Sequence, residues 1–191
     1  MLDRSRNVTY LYDMNTLPLE KKVQIIKLLT EGCSLRATSR IADVSINTVT
    51  KLLVEVGHAC EEFHNEKVVN VKSARVQCDE IWSFVYSKEK NVPQDMKDVA
   101  GDVWTWTALD ADSKLIVSWY VGERDAIAAN YFMHDVASRL TNRVQLTTDA
   151  HHAYLDAVDN AFQLDIDYAM LVKMYGAAER RYKRNRKKIF T

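Results

Sequence analysis

From about residue 75 the apolar pattern of this chain takes on period two, and the order of the elements that follow narrows the fold more than any other feature. Val76 to Tyr86, Val103 to Asp110 and Leu115 to Gly122 read as strands, with Asp110-Ala111-Asp112-Ser113-Lys114 as the turn between the last two. An amphipathic helix from about Asp125 to Leu140 follows, then a short strand from Val144 to Thr148 ending at Asp149, then a helix from about His152 to Ala161. Three antiparallel strands, a helix, and a fourth strand beside the first form the order of a ribonuclease-H-like α/β domain.

That order gives meaning to two acidic strings about seventy residues apart, Gln77-Cys78-Asp79-Glu80-Ile81-Trp82 and Leu146-Thr147-Thr148-Asp149-Ala150-His151. With strand four beside strand one, the carboxylates of Asp79 and Asp149 converge. Oxygen-only, carboxylate-rich sites suit Mg²⁺ or Mn²⁺, and metals so held support in-line phosphoryl displacement. Taken singly, Asp79 equally fits a strand-end acid paired with a basic neighbour, and Asp149 a helix cap. Glu80 should point to the opposite face of its strand, away from any metal at Asp79. His151 and His152 sit at a helix start, where solvent-facing histidines are common, and Trp82, Trp104, Trp106 and Trp119 are expected to pack the core and sheet edges.

Ahead of the strands the period is helical. Leu19, Val23, Ile26 and Leu29 share one face of a helix from about Pro18 to Glu31, stopped by Gly32. Ser34 can cap a second helix through about Ile41. After the tight turn Asp43-Val44-Ser45, Ser45 can cap a third, with Val49, Leu52, Leu53 and Val56 as its apolar stripe. This is the helix-turn-helix plan, in which the second helix crosses close over the third, favouring the small Ala37. The start of the third helix should then face the major groove, and it is polar: Ser45, Asn47, Thr48, Thr50 and Lys51, with Arg36, Arg40, Lys21 and Lys22 available for phosphates. An ordinary three-helix protein-interaction module shares the pattern. The chain thus divides into a lead (1–15), a helix-turn-helix domain (16–57), a polar connector that can continue the third helix (58–74), the α/β domain (75–179) and a basic tail (180–191).

Composition excludes several classes. With 191 residues and 47% hydrophobic content, one substantial core and a small accessory domain can be buried. No run of about 18 apolar residues exists, and Met1-Leu2-Asp3-Arg4-Ser5-Arg6 lacks an apolar signal core, so a soluble cytoplasmic chain is expected. Cys33, Cys60 and Cys78 are too widely spaced for a zinc ribbon and are expected reduced and mostly buried. The formal net charge of zero conceals an asymmetry: residues 180–188 hold seven of the 26 basic residues, leaving 19 against 26 acids elsewhere. Such a tail is either a solvated end or a phosphate-contacting arm.

Several long strings carry a family resemblance: Cys78-Asp79-Glu80-Ile81-Trp82-Ser83-Phe84, Gly101-Asp102-Val103-Trp104-Thr105-Trp106-Thr107-Ala108-Leu109-Asp110, and Asn142 through Asp149 followed by His151 and Ala153-Tyr154-Leu155. Asp167-Tyr168-Ala169-Met170-Leu171-Val172-Lys173 and Tyr175-Gly176 extend it. Together they resemble bacterial insertion-sequence transposases of the DDE class, in the family typified by insertion sequence one. The resemblance implies a ribonuclease-H-like catalytic domain, Mg²⁺ (or Mn²⁺), and DNA strand cleavage and transfer at element ends. Asp79 and Asp149 would be the first two acids of the catalytic triad. It also implies double-stranded DNA as partner, both terminal inverted repeats and target, a homo-oligomer when active, and no membrane.

In such relatives the third acid is a glutamate followed by arginine, well beyond the last residue of this sequence. Glu179 is the only acid after Asp167, and its surroundings do not resemble that motif. After Tyr182 the familiar pattern yields to Lys-Arg-Asn-Arg-Lys-Lys-Ile-Phe-Thr, and position 150 is Ala where relatives usually have Gly. The expectation is therefore a truncated or frameshifted transposase with an incomplete C-terminus and impaired chemistry. The alternative is a non-catalytic DNA-binding remnant that competes for element ends.

Overall fold

The structure is a computed structural model that describes residues 16–172. The lead 1–15, the tail 180–191, Glu179 and the resembling residues Lys173, Tyr175 and Gly176 lie outside the described residues. Contacts divide the chain into two compact units, one ending at Lys67 and the other beginning at Val68.

The first unit contains α1 (Leu19–Thr30), α2 (Leu35–Ala42) and α3 (Ile46–Lys67). Pro18 opens α1, where a missing N–H costs nothing because the first turn leaves its donors unpaired. Past the end of α1, Gly32 takes φ +83°, a left-handed value that suits a residue without a Cβ. Ser34 caps α2, its Oγ accepting from the Ala37 amide at 3.2 Å. The turn into α3 is held by Asp43 at φ 51° and by the Ser39 hydroxyl, which donates to the Val44 carbonyl at 2.6 Å.

Ile25, Ala42, Val49 and Leu52 form the core of this unit. The small residue buried in α2 is Ala42, with Thr38, whereas Ala37, expected there, is half-buried. Leu53 is 42% exposed rather than part of the stripe, because residues 52 and 53 point about 100° apart on a helix and only one can meet the partner helices. Helix α3 runs through Lys67, ten residues into the polar stretch at 58–74, and Leu52 is its last buried residue. Cys60 is consequently exposed and Cys33 half-buried, so among the three cysteines only Cys78 is buried.

The second unit is built on a five-stranded sheet in the order β3-β2-β1-β4-β5, comprising β1 (Arg75–Val85), β2 (Gly101–Asp110), β3 (Ile116–Gly122), β4 (Gln145–Asp149) and β5 (Asp167–Leu171). Strands β1 to β3 are antiparallel, while β4 runs parallel to both β1 and β5. This mixed order is compatible with a ribonuclease-H-like plan. Helix α4 (Ala126–Arg139) links β3 to β4, and α5 (Ala153–Phe162) links β4 to β5.

The helices and one sheet face enclose the core, where Trp106, Phe132, Met133, Leu146 and Tyr154 are fully buried. On β1, Val76 and Cys78 point into this core; Gln77 and Asp79 point to the other face, where Ile81, Val121 and Leu171 are half exposed or more. Strand β5 was not expected from periodicity. Its place beside β4 is secured by Arg143, which bonds the Asp167 carboxylate at 2.6 Å and the Leu164 and Ile166 carbonyls at 2.6 and 2.9 Å. No helix of the described residues is long and apolar enough to cross a membrane.

Candidate metal centre

The site lies where two neighbouring strands part. Strands β1 and β4 pair from Arg75↔Gln145 to Gln77↔Thr147 and then separate, although β4 continues alongside β5 as far as Asp149↔Leu171. Extending the broken ladder by two residues would set Asp79 opposite Asp149. The chain also changes direction here, with β2 and β3 added on one side of β1 and β4 and β5 on the other. Only β4 ends here, whereas β1 continues to Val85 paired with β2, so the gap opens along the side of β1 that β4 has left. Gln77, Asp79, Thr107, Thr147, Asp149 and Leu171 line a cavity of about 370 Å³ on the open face of the sheet.

Asp79, Glu80 and Asp149 each bring a carboxylate oxygen to this notch, all within 4.8 Å of one another. Glu80 corrects the sequence reading. Its stem follows the core-facing parity of Val76 and Cys78, and its side chain is only 1% exposed. Where β1 has lost β4 as a neighbour, however, the longer glutamate reaches the gap from beneath. Strand parity sets the direction of a Cβ; it does not set where a flexible carboxylate ends beside a missing partner strand.

Arg124 sits among these acids. Its guanidinium lies 2.9 Å from Glu80 Oε2 and 3.3 Å from Asp149 Oδ2, and it stacks over the Trp104 ring with 4.9 Å to the centroid. Its backbone is held on both sides. The Trp106 indole N–H donates to the Glu123 carbonyl at 3.0 Å, and Asp125 caps α4 by accepting from the Ala128 amide at 2.8 Å. At formal charges the three acids and the arginine sum to −2. Nothing in the sequence marks Arg124, which stands 44 residues from Glu80 and 25 from Asp149.

Around the acids the polar atoms divide into satisfied and orphaned. Asp79 Oδ1 accepts from the Glu80 amide and Asp149 Oδ1 from the His151 amide, both at 2.9 Å. Asp149 thus caps a local turn, while His152 stands at the N-cap of α5 with no side-chain bond. Glu80 Oε1 and His151 Nε2 are buried without a hydrogen-bond partner. Burial first, then the neighbouring Arg124, holds His151 below the usual imidazole range, so its ring is neutral near pH 7. Burial first, then the nearby Cys78 and the hydroxyl's bond to Glu80, push the Tyr154 phenol up. Burial and the adjacent Glu80 and Asp79 push the Cys78 thiol up, which excludes it as a nucleophile.

The donor set suits a hard divalent cation. All three candidate ligands are carboxylates, two of them keep oxygens turned away from Arg124, and no cysteine thiolate or paired histidines compete for a softer metal. Of the four tryptophans, Trp106 is buried against Phe132 and Tyr154, Trp104 supports Arg124, and Trp82 and Trp119 are 38% and 40% exposed.

In the helical unit, Arg36, Arg40, Ser45, Asn47, Thr50 and Lys51 are exposed and Thr48 is half-buried. Three of the hydroxyls serve the helix. Ser45 Oγ accepts from the Thr48 amide at 3.1 Å and pairs with Thr48 Oγ1 at 3.0 Å, and Thr50 Oγ1 donates to the Ile46 carbonyl at 3.0 Å. Arg36 with Arg40, and Asn47 with Lys51, form i, i+4 pairs on exposed faces. Lys21 donates to the Ala42 carbonyl at 3.0 Å and so caps the C-terminus of α2, while Lys22 lies 4.0 Å from Glu55.

No family model and no curated protein sequence matches this chain. Among solved structures it is similar to a piggyBac transposase in a synaptic complex with hairpin DNA, at 11% identity and a TM-score of 0.35, over 58% of this chain. The aligned part spans 25% of that transposase chain, and a likeness so slight carries no weight for fold or activity.

Proposed function

We propose that this protein handles DNA in the manner of a DDE-class insertion-sequence transposase. The helical unit binds duplex DNA as a helix-turn-helix, and Asp79 and Asp149 hold Mg²⁺ or Mn²⁺ for strand cleavage and transfer. The observation that carries this reading is the break in the β1–β4 ladder, which gathers two acids seventy residues apart with their oxygens within 4.8 Å. The motif resemblance around both acids supports it. Element ends and target DNA would be the substrates, with a homo-oligomer as the active form.

The residues divide the work by chemistry. Asp79 reaches the site from the middle of β1 and Asp149 from the end of β4, so two rigid strands fix the distance between them. A bound divalent cation would supply Lewis-acid activation of the attacking oxygen and stabilisation of the leaving one. Asn47 and Lys51, at the start of α3, would meet base edges and phosphate, with Arg36 and Arg40 positioned for the backbone. The neutral His151 ring, against Trp106 at 5.9 Å, closes the core side of the site to water.

The test uses the purified chain, supercoiled plasmid and Mn²⁺. The expected result is weak nicking, with Mn²⁺ binding and nicking both lost in Asp79→Ala and Asp149→Ala, since removing a metal ligand costs orders of magnitude in rate. Metal binding and nicking that survive both substitutions would overturn the reading.

A further inference from the structure

We propose that Glu80 is a third carboxylate ligand of the divalent-cation site, and that Arg124 is a built-in counter-ion which the cation displaces. The proposal rests on the reading of Asp79 and Asp149 as metal ligands and adds to it a ligand and a competitor.

Three observations lead there. First, Glu80 is an acid held at 1% exposure with one oxygen paired to Arg124 and the other, Oε1, without any partner. An unpaired buried carboxylate oxygen is costly to retain, so the position is one that a cation can satisfy. Second, the fully buried Tyr154 turns its hydroxyl to the same carboxylate, so a neutral donor rather than a charge faces Glu80 from the core. Third, Arg124 spans the acids that a metal would bridge, with one nitrogen, Nη2, 2.9 Å from Glu80 Oε2 and 3.3 Å from Asp149 Oδ2.

Mg²⁺ and Mn²⁺ bind oxygens at roughly 2.1 Å. An ion bridging Glu80 and Asp149 would therefore stand in the place of Nη2, and two cations cannot share it. With Arg124 in place, like charges are kept from collapsing apart and the acids stay assembled. With Arg124 released, the cluster presents three negative charges to the ion. Release needs no backbone change: Glu123 and Asp125 remain anchored, the guanidinium is already one-third exposed, and rotation about its own side-chain bonds carries it outward. There it becomes a free cation beside the metal site, available to an anion.

The experiment is Mn²⁺ titration of the full-length, metal-stripped protein, with free Mn²⁺ read by electron paramagnetic resonance. Glu80→Gln is expected to weaken binding at least about tenfold, and Arg124→Gln to tighten it at least about tenfold. Wild-type affinity in Glu80→Gln, or unchanged or weaker binding in Arg124→Gln, overturns the proposal. If Asp79→Ala abolishes binding while Glu80→Gln does not, the Asp79–Asp149 reading stands and this inference falls; absence of binding in both wild type and Arg124→Gln defeats both.

Because Arg124→Gln leaves Glu80 without its partner, folding is checked by circular dichroism, and wild type provides a second readout. Displacement takes the guanidinium off Trp104, so Mn²⁺ should alter tryptophan fluorescence in wild type and not in Trp104→Phe. An identical response in the two proteins shows that Arg124 stays in place and overturns the displacement.

Discussion

Tyr154→Phe tests whether the core side of the centre is held by the bond between the Tyr154 hydroxyl and Glu80. The Tyr154 ring is fully buried, edge-on to Trp106 at 5.4 Å and to His151 at 6.1 Å, and a phenylalanine keeps these contacts. Only Oη is lost, and with it the hydroxyl's bond to the Glu80 carboxylate. A hydrogen bond to a charged group contributes about 1.5–3 kcal/mol, to which the small void left by one oxygen adds a few tenths. The expected outcome is a loss of about 1–3 kcal/mol.

All four tryptophans lie in the second unit, so their fluorescence during urea unfolding reports on that unit alone. The midpoint should fall with the slope unchanged. Tyr154→Ala, which also empties the ring site, should lose about 3–5 kcal/mol. A Tyr154→Phe protein as stable as wild type, or more stable, would refute the reasoning, because the hydroxyl would then contribute no bond to Glu80.

Two other outcomes follow from the same structure. Asn47→Ala with Lys51→Ala should reduce duplex binding in gel shift while the helical content measured by circular dichroism is unchanged, since both side chains are exposed; undiminished binding would remove α3 from the interface. Asp110, hydrogen-bonded by Ser113 at 2.6 Å, the Asp112 amide and Ser73, both at 3.1 Å, is held below the usual carboxylate range, with the Ser113 bond as the largest cause. Its contribution is present above about pH 4 and lost as pH falls through its lowered folded value, so Asp110→Asn should destabilise by about 1–3 kcal/mol at pH 7 and flatten the acid limb of stability against pH. A parallel acid limb in the variant would exclude Asp110 as its source.

Local order along the chain was legible because it depends on neighbours in sequence. Ser34 and Ser45 bond amides three residues on, and the turn at Asp43 to Ser45 is closed within a few residues, so caps, helices and the alternating runs of β1, β2 and β3 could be read directly. The convergence of Asp79 with Asp149 could also be anticipated, since it needs only the order of strands. Strand β5 could not, because Arg143 binds it to the sheet through bonds spanning more than twenty residues and its five residues carry little alternation. Ala42 rather than Ala37 at the helix crossing was likewise a matter of how helices rotate against one another.

The centre itself was decided by tertiary structure. The sequence determined which acids lie on which strands, and period two correctly put the stem of Glu80 on the core side. It could not show that β4 leaves β1 after Thr147, and that departure lets the Glu80 carboxylate rise into the gap. Nor could it place Arg124, whose partners stand 44 and 25 residues away in the chain. Side-chain direction is a property of the local backbone, whereas the meeting of charges at a broken ladder is a property of the whole sheet and has no counterpart in any window of sequence.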